Sequence, residues 1–452
     1  MKVTSSYGVE IRKQNICFRK TVDIYREACA WLVGTFSGVF AELSEEQNKL
    51  RRFNKAEHLV HSTKKNQARF GFDEVFPKMP SYLRRSAIQF ALGAVSSYYT
   101  RLAIWEEECT SAERETARSC LSGRPLLQTE NHAMPVFYRD VMYKEGSPDC
   151  DTAFLKLYDG KDWVWKEVRL LHTDMQYLRK HWAGKKASAP VLEKRYKKYY
   201  LRFTYTEEAI LNETPIEDQT ICAVDLGINT DAVCAGMKSD GTVLARKFIS
   251  FPSEKDHLKH VLGRISRMQR EHGSVCCKKQ WAYAVNLNRE IAQKTARAIV
   301  AFAKEQGADV IVFEHLEMKG RIHGRRKQRL HMWKKDTVQE VCTHLAHRNG
   351  IRVSRICPWN TSILAYDGSG KVERNPQNHS LCRFANGKQY NCDLSAAYNI
   401  GARYLIREKL KPLPVTVRSL LEAEVPAVKR RISCVHADLV ALESAMWRIK
   451  TA

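Results

Sequence analysis

Short apolar runs that carry a carboxylate constrain this chain more than any other feature. Residues 221–229 (ICAVDLGIN) place Asp225 at the end of a strand-like run, and residues 310–316 (VIVFEHL) do the same with Glu314. Residues 392–401 (CDLSAAYNIG) place Asp393 at the opening of a small-residue, helix-forming run. Buried strands rarely hold acids unless something offsets the charge. A divalent cation is the simplest offset, and Mg²⁺ prefers carboxylate oxygen to nitrogen or sulfur. Two such ions about 4 Å apart, bridged by acids on rigid strand and helix ends, can activate water and stabilise a departing oxygen in phosphodiester cleavage. Taken singly, each acid reads as a cap or turn residue. The three together read as one catalytic metal site.

The charge balance points to a polyanionic partner. The 452 residues carry a formal net charge of +24, which suits nucleic acid or an anionic membrane surface. The length is a soft prior for two to four domains. No apolar run reaches the roughly 18 residues of a spanning helix. The opening MKVTSSYG lacks the apolar core of a signal peptide, so an intracellular protein without membrane attachment is expected. The 14 cysteines follow no regular framework. Cys222 and Cys234 fall inside apolar runs as small core residues, and free thiols are expected in a reducing cytosol.

Periodicity divides the chain. Residues 7–13 alternate as a strand, and apolar spacing of three and four makes 20–120 helical, most clearly at 25–36 and 86–99. Residues 134–208 read as β, with strands expected at 137–143, 153–158, 163–170 and 199–205. The acidic, proline-containing 213–219 reads as a linker. An α/β region follows. Its expected strands lie near 220–226, 231–237, 243–251, 309–314 and 351–357. Its expected helices lie near 255–272, 280–306 and 334–349, with another from about 393. Asp231 and Asp240 read as turn or strand-edge residues. A tail of helical spacing with Pro412 and Pro414 closes the chain at 407–452.

The flanks VDLGIN, VFEHL and DLSAAYNIG resemble the three parts of a RuvC-like nuclease domain. More narrowly, the chain resembles the transposon-encoded TnpB family, related to the miniature type V CRISPR effector nucleases. The resemblance is specific over about 221–405 and looser before it. It implies a fold of α/β, β-barrel and helical parts: an RNase H-like (RuvC) nuclease domain preceded by a β-barrel wedge domain with an inserted helical recognition domain. The implied boundaries are 1–19 and 126–216 for the wedge barrel, 20–125 for the recognition domain, 217–406 for the nuclease domain and 407–452 for the tail. It also implies that Asp225, Glu314 and Asp393 hold two Mg²⁺ ions, with Mn²⁺ able to substitute.

One departure from the family stands out. Its members usually carry a zinc finger of two CxxC pairs before the third acid. Residues 356–362 (ICPWNTS) match the approach to that finger, but 363–370 (ILAYDGSG) hold no cysteine. Cys357, Cys382 and Cys392 remain, with His379, at spacings unlike a tetrahedral zinc site. The region about 357–392 therefore reads as a degenerate loop without metal, with a three-cysteine zinc site that includes His379 as the alternative.

Basic clusters are the candidates for nucleic-acid contact. Residues 319–335 hold eight Lys or Arg directly after the strand of Glu314. Lys319, Arg321, Arg325, Arg326, Lys327, Arg329 and Lys334 suit backbone phosphates, and Trp333 suits either base stacking or a core anchor. Lys185, Lys186, Arg195, Lys197 and Lys198 interleave with aromatic residues. That pattern suits structured RNA or the basic face of a barrel strand. Arg264 and Arg267 repeat the theme on a helix whose charged face equally suits solvation.

Together the motifs and the resemblance imply an RNA-guided DNA endonuclease of the TnpB type, acting in a prokaryotic cytoplasm at the nucleoid. Its partners would be a guide RNA and double-stranded target DNA with a short adjacent motif. The alternatives are a miniature type V effector using a CRISPR RNA, a nuclease-inactive guided repressor, and an unguided junction or flap nuclease. No phosphate-binding GxxxxGK[ST] loop, nucleophile elbow or HExxH motif competes.

Overall fold

The computed structural model describes the chain apart from residues 14, 65, 115–122, 130, 131, 147–150, 196, 274–276, 317–332, 379, 431 and 452. Two compact units result, Thr4–Glu207 and a second made of Met1–Val3 with Glu208–Ala452.

In chain order the first unit carries β1 (Lys2–Glu10), α1 (Ile16–Gly38), α2 (Phe40–Ser44), α3 (Lys49–Val60), α4 (Phe72–Val75), α5 (Ser81–Arg114), β2 (Tyr143–Glu145), β3 (Thr152–Tyr158), β4 (Trp163–Arg169), α6 (His172–His181), β5 (Val191–Arg195) and β6 (Lys198–Glu208). The strands form two three-stranded sheets, β1-β6-β5 and β2-β3-β4. Isolated bridges Ile11–Leu170 and Val136–Val191 link them. Strict alternation along β6 turns Tyr199, Leu201, Phe203 and Tyr205 inward. They join a core with Phe18, Tyr25, Leu32 and Phe36 of α1 and Leu83 and Ile88 of α5. Helix α1 starts where it does because the Asn15 side chain accepts from the Cys17 amide.

Two expectations fail in this unit. Residues 137–143 do not form a strand, because Asp140 adopts a left-handed φ of 63° and the Tyr138 carbonyl accepts from the amides of Met142 and Tyr143. That turn leaves only Tyr143–Glu145 to pair. Within the β-like stretch, 172–181 is helical: Asp174 sits in its first turn and accepts from the Glu10 amide and the Tyr7 hydroxyl.

The second unit carries β7 (Thr220–Asp225), β8 (Ala232–Lys238), β9 (Val243–Ile249), α7 (Pro252–His272), α8 (Lys278–Glu305), β10 (Val310–Glu314), α9 (Lys335–Arg348), β11 (Arg352–Ile356), the short β12 (Glu373–Arg374), β13 (Leu381–Arg383) and β14 (Gln389–Asn391), then α10 (Cys392–Leu410), α11 (Val415–Glu424) and α12 (His436–Thr451). Its main sheet has the order β11-β10-β7-β8-β9. Strands β7, β8 and β9 run antiparallel, while β10 and β11 run parallel to β7. With helices on both faces of this sheet, the unit is a mixed α/β fold. All five residues of β10 are buried, as an inner strand covered on both faces requires. One face packs Ile221, Ala223, Val310 and Val312 against α10. The other packs Cys222, Val224, Ile311 and Phe313 against α8 and α9.

Helix α10 lies unusually close to the sheet. A Cβ on Gly401 would stand 2.5 Å from Met237 Sδ and 3.1 Å from Ala223 Cβ. The small-residue run that opens the helix is thus a packing requirement. The tail belongs to the same core, since Leu421, Val428, Leu439 and Leu442 share the cluster of α10. Pro414 caps α11, which follows the break at 411–414.

Candidate active site

Parallel register brings the first two acids side by side. Strand β10 pairs with β7 through Val310–Ile221, Ile311–Cys222 and Val312–Ala223. Two residues further along each strand come Glu314 and Asp225, with neighbouring strands about 4.8 Å apart. Alternation puts both on the face of Val312 and Ala223, which packs on α10. Asp393 lies in the first turn of that helix, where the amide dipoles favour a carboxylate. The Asn391 side chain caps the turn by accepting from the Leu394 amide at 2.9 Å.

The three carboxylates share one electrostatic neighbourhood. Burial, then the charges of Glu314 and Asp393, hold Asp225 well above the usual aspartate range, while Arg374 pulls it down. Burial raises Glu314 against a hydrogen bond from Thr361 and the charge of Arg403. Burial likewise raises Asp393 against Arg374. The donor set is carboxylate oxygen, which suits a hard divalent cation, and a cation would relieve the crowding of negative charge. As they stand, no three His, Cys, Asp or Glu side chains among the described residues converge on one ion-sized point.

A polar stripe along α10 fixes the loop that follows β11. Ser395, Asn399, Arg403 and Arg407 recur every four residues and so share a helix face. Ser395 Oγ accepts from the Tyr366 amide. Asn399 Nδ2 donates to the carbonyls of Thr361 (3.0 Å) and Leu364 (2.9 Å). The buried Arg403 donates to the carbonyls of Cys357, Trp359, Ile432 and Cys434. Arg407 reaches the Arg355 carbonyl and Ser354 Oγ. Held in this way, Thr361 donates its hydroxyl to Glu314 Oε1. On the other side, Gln339 Nε2 donates to the Glu314 carbonyl at 2.9 Å, while its Oε1 accepts from Arg355. Sequence reasoning missed Thr361, Asn399, Arg403 and Arg374. The signal for two of them was present, as Asn399 and Arg403 are polar residues four apart in an otherwise apolar helical run.

The profile of the Aq_aa04 family matches residues 5–159, which lie before the three acids. A TnpB-like protein, aq_aa05 of Aquifex aeolicus (strain VF5), is 26% identical over 237 residues, covering 47% of this chain and 76% of that one. The chain is similar to a TnpB-like protein. Among solved structures, a Cas12f1–sgRNA–target DNA complex superposes with a TM-score of 0.47 at 14% identity, over 88% of this chain and 98% of that one. The mini-RNA-guided endonuclease CRISPR-Cas_phi3 superposes with a TM-score of 0.49 at 11% identity, over 88% and 92%.

The region read as a degenerate finger is a small antiparallel sheet, β12-β13-β14, around an apolar cluster of Ala365, Cys382, Phe384 and Cys392. Burial and its neighbour Cys392 push the Cys382 thiol up to about 12, and burial raises Cys392 as well. Cys357 stands outside that cluster, and its carbonyl accepts from Arg403. His379 lies outside the described residues.

Of the basic candidates, Lys319, Arg321, Arg325, Arg326, Lys327 and Arg329 lie outside the described residues. Trp333 is half-buried against the cluster of Phe313 and Val338. With Lys334 and Lys259 it also lines a cavity of about 630 Å³ that reaches Leu226 and Gly227, directly after Asp225. In the first unit, Lys185 pairs with Glu207, Arg195 with Glu193 and Lys198 with Glu10. Lys186 and Lys197 are exposed. Arg264 and Arg267 are exposed on α7, away from its buried Val261 and Ile265. Asp231 is a structural residue, ion-paired with Lys255 at 2.9 Å and accepting from the Phe251 amide.

Proposed function

We propose that this chain is an RNA-guided DNA endonuclease of the TnpB type. The observation that carries the reading is the meeting of Asp225 and Glu314 at adjacent parallel strand ends, on the face covered by the helix that Asp393 opens. In our reading these acids hold two Mg²⁺ ions, for which Mn²⁺ substitutes. Bound there, the ions supply an activated water and neutralise charge on the departing oxygen. The residues themselves act by position. Thr361 orients Glu314, the capped turn of α10 holds Asp393 rigidly, and Arg374 moderates the repulsion among the acids.

The six strands of the first unit, linked through Ile11–Leu170 and Val136–Val191, are what we read as the wedge barrel (1–19 and 126–216). Helices α1 to α5 between them are the recognition domain (20–125). These parts grip guide RNA and a short motif on the double-stranded target, while base pairing reads the rest. The nuclease domain then spans 217–406. A DNA substrate places the work in the cytoplasm at the nucleoid. The chain retains all three acids, which favours a nuclease over a guided repressor.

Sequencing of the RNA that co-purifies with the protein, then Mg²⁺-dependent cleavage of a plasmid matched to that RNA, tests the proposal. Guide-matched cutting by wild type that is lost in Asp225→Ala is the expected result. Guide-matched binding without cutting would overturn the nuclease reading.

A further inference from the structure

Trp359 presents its ring to solvent, with 69% of its surface exposed. A single exposed apolar side chain is ordinary in itself, but this one stands on a loop whose backbone is held at several points. Pro358 precedes it and restricts the backbone. Its own carbonyl accepts from buried Arg403 at 2.6 Å, as does that of Cys357 at 3.1 Å. Asn360 adopts a left-handed φ of 63°, and its carbonyl accepts from the amides of Ile363 and Leu364. Two residues beyond Trp359, Thr361 donates to Glu314 Oε1. A cation reaches the same loop, where the exposed Arg374 of β12 donates to the Ser362 carbonyl at 3.4 Å. The combination is an exposed indole on a held loop, two residues from the threonine that bonds Glu314 and three from the carbonyl that Arg374 reaches, on a chain of net charge +24.

A flat, exposed indole on a backbone held in this way is suited to one kind of occupant, the face of an unpaired base. We propose that Trp359 is a stacking platform for one unpaired base of the DNA strand presented to Asp225, Glu314 and Asp393. The proposal rests on the nuclease reading and adds to it a contact with the substrate strand. Stacking accepts any base, so the platform positions the strand without reading its sequence. Trp333, the tryptophan that the basic run of the sequence singled out, is half-buried against the core instead.

The test uses the full-length protein and a fluorescein-labelled oligothymidylate of about 12 nucleotides. Binding is followed by anisotropy with Ca²⁺ in place of Mg²⁺ to keep the strand intact, at roughly 0.3 M salt to damp backbone electrostatics. Trp359→Ala is expected to weaken binding by about 5- to 150-fold, and Trp359→Phe to stay close to wild type. On the same strand with its bases replaced by abasic sites, all three proteins should bind alike. Matched thermal melting curves show that the alanine variant folds. Wild-type affinity of Trp359→Ala for oligothymidylate, or an equal loss on the abasic strand, would overturn the proposal. A base-dependent loss without any guided plasmid cleavage would leave the platform standing and remove the nuclease reading. Guided cleavage with no base-dependent loss would do the reverse.

Discussion

The Thr361 hydroxyl donates to Glu314 Oε1, so an acid in an inner strand of the sheet is oriented by a loop 47 residues further along the chain. The bond lowers the proton affinity that burial raises. It also turns the carboxylate one way, leaving its other oxygen for a ligand. Thr361→Val should therefore weaken both effects while keeping the shape of the side chain. A hydrogen bond to a charged group contributes about 1.5–3 kcal/mol, so cleavage should fall about 10- to 100-fold. The Mg²⁺ concentration for half-maximal rate should rise. Thr361→Ser should restore most of the activity. A Mg²⁺ titration of the three proteins measures this, and equal curves would contradict it.

The crowded acids make stability depend on pH in a definite direction. Asp225 is held above its ordinary range in the folded chain, so the folded state keeps a proton that the unfolded state has released. Stability is then lost as pH rises from about 3.9, the unfolded value, through the raised folded one. Asp225→Asn cannot release that proton. With chelator present, the variant's melting temperature should exceed that of wild type by a margin that grows with pH across this window. Adding Mg²⁺ should narrow the margin by stabilising wild type alone. Calorimetry over a pH series decides the point, and a margin that shrinks with rising pH would contradict it.

Arg403 fastens the second unit through four backbone carbonyls, drawn from segments before and after α10 in the chain. Arg403→Leu strands those carbonyls in the interior, where each unsatisfied group costs about 1–3 kcal/mol. A loss of about 3 kcal/mol or more in urea unfolding is expected. Arg403→Lys should recover little, because one ammonium cannot match a planar fork with several fixed donors.

Gly401 sets how near α10 comes to the sheet. Gly401→Ala adds a methyl 2.5 Å from Met237 Sδ, an overpacking that should cost about 1–3 kcal/mol by chemical denaturation. Because Ala223 Cβ also lies at 3.1 Å, Met237→Ala should recover only part of the loss.

The parts legible from sequence were those dictated by local pattern. Strand β10 is covered on both faces, so VIVFE reads as one apolar run and its acid stands out. The small residues of α10 announce a helix pressed against a neighbour, and Gly401 shows why. Local pattern failed where a single residue redirected the chain. The alternation of 137–143 is sound, but the turn at Asp140 overrides it. The helix at 172–181 owes its place to bonds from Asp174 to β1, a long-range contact with no local signature. Thr361 escaped notice for the same reason, since nothing in ICPWNTS reveals that its threonine will meet an acid 47 residues earlier.

Helix α10 has a further consequence for the region between Tyr366 and Asn391. Ser395 holds the Tyr366 amide at one end of that excursion, and Asn391 caps the helix at the other. The excursion therefore leaves the helix and returns to it like the bow of a knot whose crossing is already tied. From inside the bow, Arg374 reaches back to the Ser362 carbonyl and to the charge of Asp225 and Asp393. Among the described residues an apolar cluster of Ala365, Cys382, Phe384 and Cys392 fills the bow.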